Sequence, residues 1–70
     1  MANIFNAAEA LDMGIEKERK RRDFYGYAAL KFKERDMVEL FSRLRDWEDT
    51  HIKKFSEIRV TLEESEMAES

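Results

Sequence analysis

The chain has 70 residues, a length that limits it to one small domain with little buried surface and little stability to spare. It contains no cysteine, which excludes disulfides, thiolate metal sites and rubredoxin-type iron centres, so the remaining means of stabilising the fold are a bound metal or a second copy of the chain. The net charge of −3 implies no strongly charged partner, and the absence of proline, with 43% hydrophobic and 41% charged residues, predicts an all-α protein.

The first predicted helix runs from about residue 4 to residue 33. Near its start, Asn6 and Glu9 stand three residues apart as in a capping box, where a side-chain oxygen accepts hydrogen bonds from free backbone N–H groups. Gly14 and Gly26 fall inside this helix and weaken it without ending it. The chain starts without a basic signal-peptide segment and has no uncharged stretch long enough to cross a bilayer, so we expect a soluble, cytoplasmic protein without membrane contact.

The second predicted helix follows a short joint at residues 34 and 35. Asp36 and Glu39 repeat the three-residue offset just ahead of a new apolar run, which predicts a helix over about residues 37–62. An acidic tail over residues 63–70 is expected to fray. Because the joint is short, the two helices should be antiparallel neighbours, and the predicted domain is one helical hairpin that takes up the whole chain.

Each predicted helix carries an apolar stripe with alternating steps of three and four residues, the spacing of a helix packed in a bundle. The stripe of the first helix is formed by Ile4, Ala8, Leu11, Ile15, Glu18, Arg22, Tyr25, Ala29 and Phe32. The stripe of the second helix is formed by Met37, Leu40 or Phe41, Leu44, Glu48, His51, Phe55, Ile58 and Leu62. Polar residues therefore interrupt the middle of both apolar faces.

Three of these polar residues are predicted to meet. Glu18 and His51 are equally far along the chain from the joint, so an antiparallel hairpin brings them to one level, and Glu48 lies one turn before His51 on the same face. A buried carboxylate without a partner is costly, and a core that holds three such groups together has to satisfy them. A cation is the simplest partner, so Glu18, Glu48 and His51 are the predicted metal ligands.

The Glu48-x-x-His51 pair and Glu18 make half of a known ligand set. A di-iron centre in a bundle core takes one Glu from each of two helices and a Glu-x-x-His from each of the other two. Two copies of the hairpin, related by a two-fold axis, would supply four glutamates and two histidines and would bury both apolar stripes. The prediction is a homodimer, or a higher even-numbered homo-oligomer, that forms a four-helix bundle and binds two iron ions per dimer, with manganese or zinc as substitutes.

The run from Ala10 to Ile58 resembles one helical hairpin of the rubrerythrin branch of the ferritin-like superfamily. The shared features are, in chain order, Glu18, the aromatic pair Phe24 and Tyr25, the pair Ala28 and Ala29, the pair Leu40 and Phe41, and Glu48-x-x-His51. The resemblance implies that Glu18 and Glu48 bind or bridge iron and that His51 is a terminal ligand. It also implies that Tyr25, the one candidate catalytic residue, lies near the metals and hydrogen-bonds a ligand carboxylate.

The arrangement is similar to that of encapsulated ferritins, which are single hairpins that complete a di-iron site between two chains. A full rubrerythrin differs, because it has two hairpins in one chain and adds a cysteine-ligated rubredoxin centre for electron delivery. Arg21 and Arg22 are a further difference, since such helices tend to carry small or apolar residues there. Encapsulated ferritins usually carry a C-terminal extension with a cargo peptide, and the segment TLEESEMAES does not resemble one, so the sequence does not predict a storage compartment. It does not predict an electron donor either.

The implied activity is oxidation of Fe(II) by O2 or peroxide, as a ferroxidase or a peroxide scavenger in iron homeostasis, and the sequence does not separate these two roles. The alternative is a non-enzymatic helical module for oligomerisation or interaction, in which Glu18, Glu48 and His51 form a buried polar network.

The basic run KERKRR, residues 17–22, raises the question of nucleic-acid binding. Pairs at i, i+4 spacing, Glu16 with Lys20 and Glu18 with Arg22, instead indicate a solvated helix face. No aromatic residue is interleaved with the run to stack on bases. We therefore expect no nucleic-acid partner.

Overall fold

The computed structural model describes the backbone of residues 6–69 and the side chains of residues 6–65. Two α-helices, α1 (Ala7–Lys31) and α2 (Arg35–Glu69), pack against each other, and no residue of the described backbone lies in a strand. The prediction of an all-α chain made of two packed helices is thereby confirmed. Neither helix, over these residues, has a segment long and apolar enough to cross a membrane.

Helix α1 begins where the sequence predicts a cap. Asn6 has extended backbone angles, and its side-chain oxygen accepts a hydrogen bond from the backbone N–H of Glu9 at 2.9 Å. This bond satisfies one of the free N–H groups of the first turn, where the Glu9 carboxylate also interacts favourably with the helix dipole. The helix ends at Lys31, slightly before the predicted residue 33, because Phe32 is extended. The predicted start at residue 4 lies outside the described residues.

Helix α2 begins earlier than predicted. The backbone carbonyl of Glu34 accepts hydrogen bonds from the N–H groups of Met37 at 3.1 Å and Val38 at 3.0 Å, so the helix opens at Arg35. The predicted start at Asp36 and residue 37 is therefore wrong. Asp36 lies within the first turn, where its carboxylate is favourable to the dipole without acting as the cap.

The far end of α2 also differs from the prediction. The helix passes Leu62 and continues to Glu69, so residues 63–69, predicted to fray, are helical. This segment is rich in glutamate, with alanine and methionine, which favour helix, and it has no glycine or proline to stop it. An ion pair at i, i+4 spacing between Arg59 Nη1 and Glu63 Oε1, at 3.1 Å, ties its first residue to the preceding turn.

Two ion pairs between the helices show that the hairpin is antiparallel. Arg22 Nη1 lies 3.2 Å from Asp49 Oδ1, and Arg59 Nε lies 3.1 Å from Asp12 Oδ1. Asp12, nearer the start of α1, thus pairs with Arg59, nearer the end of α2, as antiparallel helices require. The two pairs lie on opposite sides of the level of Glu18 along α1, so they fix the alignment of the helices around that level.

The hairpin is a single flat layer. Its extents are 54 × 24 × 11 Å, and the smallest is about one helix diameter. The radius of gyration is 16.3 Å, against roughly 11 Å for a compact domain of this length. Only four hydrophobic residues of the described part are buried, three of them alanines, with Ile15 the fourth. The layer therefore encloses almost no core of its own.

The aromatic side chains near the joint settle one alternative in the predicted stripe. Phe41 is half-buried, stacks on Phe32 with ring centroids 5.3 Å apart, and lies 6.2 Å from the ring of Tyr25. Leu40 is exposed. Phe41 is thus the residue that packs between the helices, and Leu40 lies on an uncovered surface.

Both glycines are suitable for stabilising substitutions. A Cβ added at Gly14 has no heavy atom within 4 Å, and one added at Gly26 would lie 3.6 Å from Arg45 Cδ, an ordinary contact. Neither has a positive φ. We expect Gly26→Ala to raise the free energy of unfolding by about 0.5–1 kcal/mol, because alanine loses less backbone entropy in a helix. Urea denaturation checks this, with Gly14→Ala as the unhindered reference, and a loss at Gly26 would mean that the helices are too close there to admit a methyl group.

Candidate metal centre

The two helices bring Glu18, Glu48 and His51 together. His51 Nδ1 lies 3.2 Å from Glu48 Oε1 on its own helix and 3.6 Å from Glu18 Oε2 across the hairpin. One potential ligand atom from each residue lies within 4.8 Å of the others. The predicted level of Glu18 with His51, and the position of Glu48 one turn away on the same face, are therefore found in the structure.

The cluster surrounds one buried carboxylate, that of Glu48, and is incompletely hydrogen-bonded. Glu48 has a side chain only 5% exposed, while Glu18 is 14% and His51 33% exposed. Glu18 Oε2 and Glu48 Oε2 are buried and have no hydrogen-bond partner, since the 3.6 Å contact with His51 is too long for one. Buried oxygens in this state are costly, and native proteins keep them rarely. Bringing a cation to these atoms would remove the cost.

The surroundings of Glu48 favour its protonated form in the metal-free protein. Burial raises the pKa of the Glu48 carboxyl above its usual value, and the neighbouring Glu18 carboxylate raises this pKa further. His51 acts in the opposite direction, through its hydrogen bond and its charge when protonated. A proton and a metal ion thus compete for the same carboxylate.

This pKa makes the metal-free protein less stable at higher pH. The folded chain binds the Glu48 proton more tightly than the unfolded chain, whose carboxyl titrates near 4.5. The stability linked to that proton is complete below this value and is lost as the pH rises through the raised folded pKa. We expect Glu48→Gln to remain neutral, so its free energy of unfolding relative to wild type, from urea denaturation, should rise as the pH increases above 4.5. Parallel stability curves for the two proteins would contradict this expectation.

The arginines near Glu18 do not pair as the sequence predicts. Arg21 Nη1 lies 3.6 Å from Glu18 Oε1, whereas Arg22 donates through Nε to Asp23 and through Nη1 to Asp49, each at 3.2 Å. The i, i+4 spacing of Glu18 and Arg22, which made a pair between them one alternative, is therefore not used in the structure, because Asp49 of α2 lies within reach of Arg22. These hydrogen bonds, chiefly the one to Asp49, raise the pKa of Arg22 above its usual value.

The other i, i+4 pair predicted on α1 is also replaced. Glu16 Oε2 lies 3.8 Å from Arg19 Nη1, at i, i+3 spacing, instead of pairing with Lys20. Both side chains are largely exposed, so this contact contributes little to stability.

Aromatic rings flank His51 along α2. The centroid of the Trp47 ring is 4.7 Å from that of His51, and the Phe55 ring is 6.4 Å away on the other side. Trp47 is the only tryptophan of the chain, so its fluorescence reports directly on the cluster. Its place beside the imidazole follows from the i, i+4 spacing, a signal that the sequence contained but that the ligand prediction did not use.

Tyr25 lies apart from the ligand cluster in its contacts. Its ring packs on Phe24, with centroids 5.7 Å apart, and on Phe41. Among the hydrogen bonds of the described side chains, the Tyr25 hydroxyl makes none to Glu18 or Glu48. The residue serves as a packing aromatic in this structure, and the implied bond to a ligand carboxylate is not formed here.

No family model, curated protein or solved structure matches the chain. The comparisons thus assign no family, and the likeness to the ferritin-like superfamily stays an inference from the residues. What the geometry establishes is a group of two carboxylates and one imidazole, with Glu48 buried and the other two half-buried, that could hold a metal ion.

Proposed function

We propose that this chain binds metal and that two copies form a di-iron carboxylate centre which oxidises Fe(II) with O2 or peroxide. Its role would be that of a ferroxidase or a peroxide scavenger in iron homeostasis. The single observation that supports the proposal most is the convergence of Glu18, Glu48 and His51, with two buried carboxylate oxygens that have no partner.

The donor set fits a divalent iron or manganese ion. Carboxylate oxygens with one imidazole suit these metals, and zinc accepts the same ligands. Two carboxylates and a neutral imidazole also balance the charge of one divalent cation per chain. Two ligand atoms about 2.1 Å from one ion are at most about 4.2 Å apart, so a small side-chain rotation brings the group, now within 4.8 Å, to that spacing.

The proposed dimer follows from what one chain lacks. Three ligand side chains leave a metal with open positions, and a two-fold partner doubles the set to four glutamates and two histidines. The chain also exposes 5942 Å², roughly 1,300 Å² more than a compact monomer of its mass. A standard dimer hides about 800 Å² per partner, so the excess is large enough for such an interface.

The protein's own residues have distinct roles in this proposal. Glu18 and Glu48 supply oxygen ligands, and the contact of His51 Nδ1 with Glu48 Oε1 holds imidazole and carboxylate toward one point before metal enters. The proton of Glu48 leaves when the cation binds. Trp47 and Phe55 shield the two flanks of the imidazole. Bound iron supplies the redox chemistry, one electron from each ion.

Metal analysis of protein loaded anaerobically with Fe(II) tests the proposal. We expect about one iron per chain, as two metals in a set of four helices require. Admitting O2 should then convert the bound Fe(II) to Fe(III), followed by absorbance. No bound iron after careful loading would overturn the proposal and favour the alternative below.

The alternative is a non-enzymatic helical module for oligomerisation or interaction, with Glu18, Glu48 and His51 as a buried polar network. It is supported by the contacts that partly satisfy the cluster without metal, namely the bond of His51 to Glu48 and the ion pair of Arg21 with Glu18. The two buried oxygens, which have no partner while both carboxylates are ionised, speak against it, because a complete network would leave none.

A further inference from the structure

Arg22 lies close enough to Glu18 in the helix to pair with its carboxylate, but it does not do so. It lies four residues after Glu18 on α1, a spacing at which glutamate and arginine commonly pair. Instead, Asp49 of α2 and Asp23 of α1 each accept a hydrogen bond from its guanidinium at 3.2 Å. The carboxylate of Glu18 keeps its inner oxygen, Oε2, without a partner as a result.

The consequences of releasing Arg22 would be large, because guanidinium and carboxylate form strong, two-pronged hydrogen bonds. Arg22 is 32% exposed, whereas Arg21 is 63% exposed and approaches only the other oxygen, Oε1, at 3.6 Å. A pair made by Arg22 would therefore be less screened by water than the one that Arg21 makes. It would neutralise Glu18 and compete with any cation for its oxygens.

We propose that Asp49 is a positioning residue that holds Arg22 away from Glu18 and so keeps Glu18 free to bind metal. This inference rests on the proposed metal-binding function. Asp49 directly follows the proposed ligand Glu48 in the chain. When α2 packs on α1, Glu48 therefore joins the cluster, and Asp49 at the same time binds Arg22 and leaves Glu18 free. Isolated α1, without Asp49, would let Arg22 pair with Glu18.

A double-mutant cycle read with Mn(II) tests the proposal. Mn(II) is titrated into wild type and into the variants D49N, R22Q and D49N/R22Q, with quenching of Trp47 fluorescence and calorimetry as readouts. We expect D49N to weaken binding about tenfold, as loss of a residue that orients a metal ligand does. R22Q alone should stay within about threefold of wild type, and the double variant should return to that range, because no guanidinium is left to block Glu18.

The control is D46N. Asp46 is an exposed aspartate of α2 that pairs with its neighbour Arg45 at 3.1 Å, so this variant removes the same charge without releasing Arg22. If D46N weakens binding as much as D49N, or if the double variant stays as weak as D49N, the effect is general electrostatics or direct ligation by Asp49, and the inference is overturned. Stronger binding by R22Q alone, by tenfold or more, would overturn it as well.

A metal-free readout separates this inference from the proposed function. In urea denaturation without metal, E18Q should lower the midpoint in the D49N background but not in wild type, because only in D49N does Glu18 have Arg22 as a partner. Equal shifts in both backgrounds would refute the sequestration. Wild type that binds no Mn(II) would refute the metal-binding function itself. Should D49N fail to fold by circular dichroism, D49S removes the same acceptor of Arg22 and is expected to weaken binding in the same direction.

Discussion

Replacing Glu18 by alanine, or His51 by alanine, is expected to weaken metal binding by at least about 100-fold while helix content is retained. Each substitution removes one of only three ligand side chains, and the loss of a ligand costs no less than the loss of a residue that orients one. Neither residue belongs to the small apolar core. Metal content after anaerobic iron loading and titrations followed by Trp47 fluorescence measure the effect.

The matched control is Glu16→Ala, which removes an exposed glutamate from the same helix. It should bind metal as wild type does. If Glu18→Ala and His51→Ala both keep the metal content of wild type, the di-iron proposal fails.

Stability measurements on the same variants separate the two candidate functions further. In the metal-site proposal, Glu18→Ala removes a costly buried oxygen, so the metal-free variant should be as stable as wild type or more stable. In the polar-network alternative it should lose about 1–3 kcal/mol, because His51 and Glu48 lose a partner. Sites built for a ligand commonly give up stability in its absence.

The meeting of Glu18 with His51 could be predicted because it depends on few quantities. A short joint forces the helices to be antiparallel, and equal distances from the joint then set the level. The i, i+3 spacing of Glu48 and His51 sets their common face without any tertiary information. The cap at Asn6 is also local, so Asn6 and Glu9, three positions apart, are enough to predict it.

Other features depend on how the helices are rotated against each other, which the spacing alone does not determine. Arg22 has Glu18 and Asp23 within reach on its own helix and Asp49 across the hairpin, and only the packed structure shows that it bonds Asp23 and Asp49. The spacing allows either Leu40 or Phe41 at one stripe position, and the stacking of Phe41 on Phe32 shows that Phe41 occupies it. At the start of α2, the three-residue offset of Asp36 and Glu39 predicts the cap at Asp36, but the backbone carbonyl of Glu34 accepts the first hydrogen bonds and the helix opens at Arg35.

One surface of the flat hairpin combines the ligand cluster with exposed apolar side chains. Ile58, which is exposed, lies two turns after His51 and therefore on the same side of α2; the half-buried Leu44 lies there as well, two turns before His51. Trp47, at the edge of the same side, is exposed too. A second copy that completed the metal set would cover this side of α2, and the opposite side would stay in water.

A pair of substitutions on α2 tests this arrangement, and we expect Ile58→Glu to dissociate the proposed dimer while Val60→Glu leaves it intact. The two residues are similarly exposed in the single chain, at 44% and 51%, but they lie on opposite sides of the helix. A glutamate at position 58 would bury one unpaired charge per copy in the interface. The cost, about 4 kcal/mol or more per dimer, weakens association about a thousandfold.

Sedimentation and metal analysis at micromolar concentration measure the outcome together. Ile58→Glu should sediment as an 8.4 kDa monomer, lose its metal and lose helix content, because a single layer with so little core is marginal alone. Val60→Glu should keep the dimer, the metal and the helices. If both variants behave alike, the cluster side of α2 is not an interface. If wild type itself is a folded monomer with metal bound, one chain suffices for the site and the shared centre is ruled out.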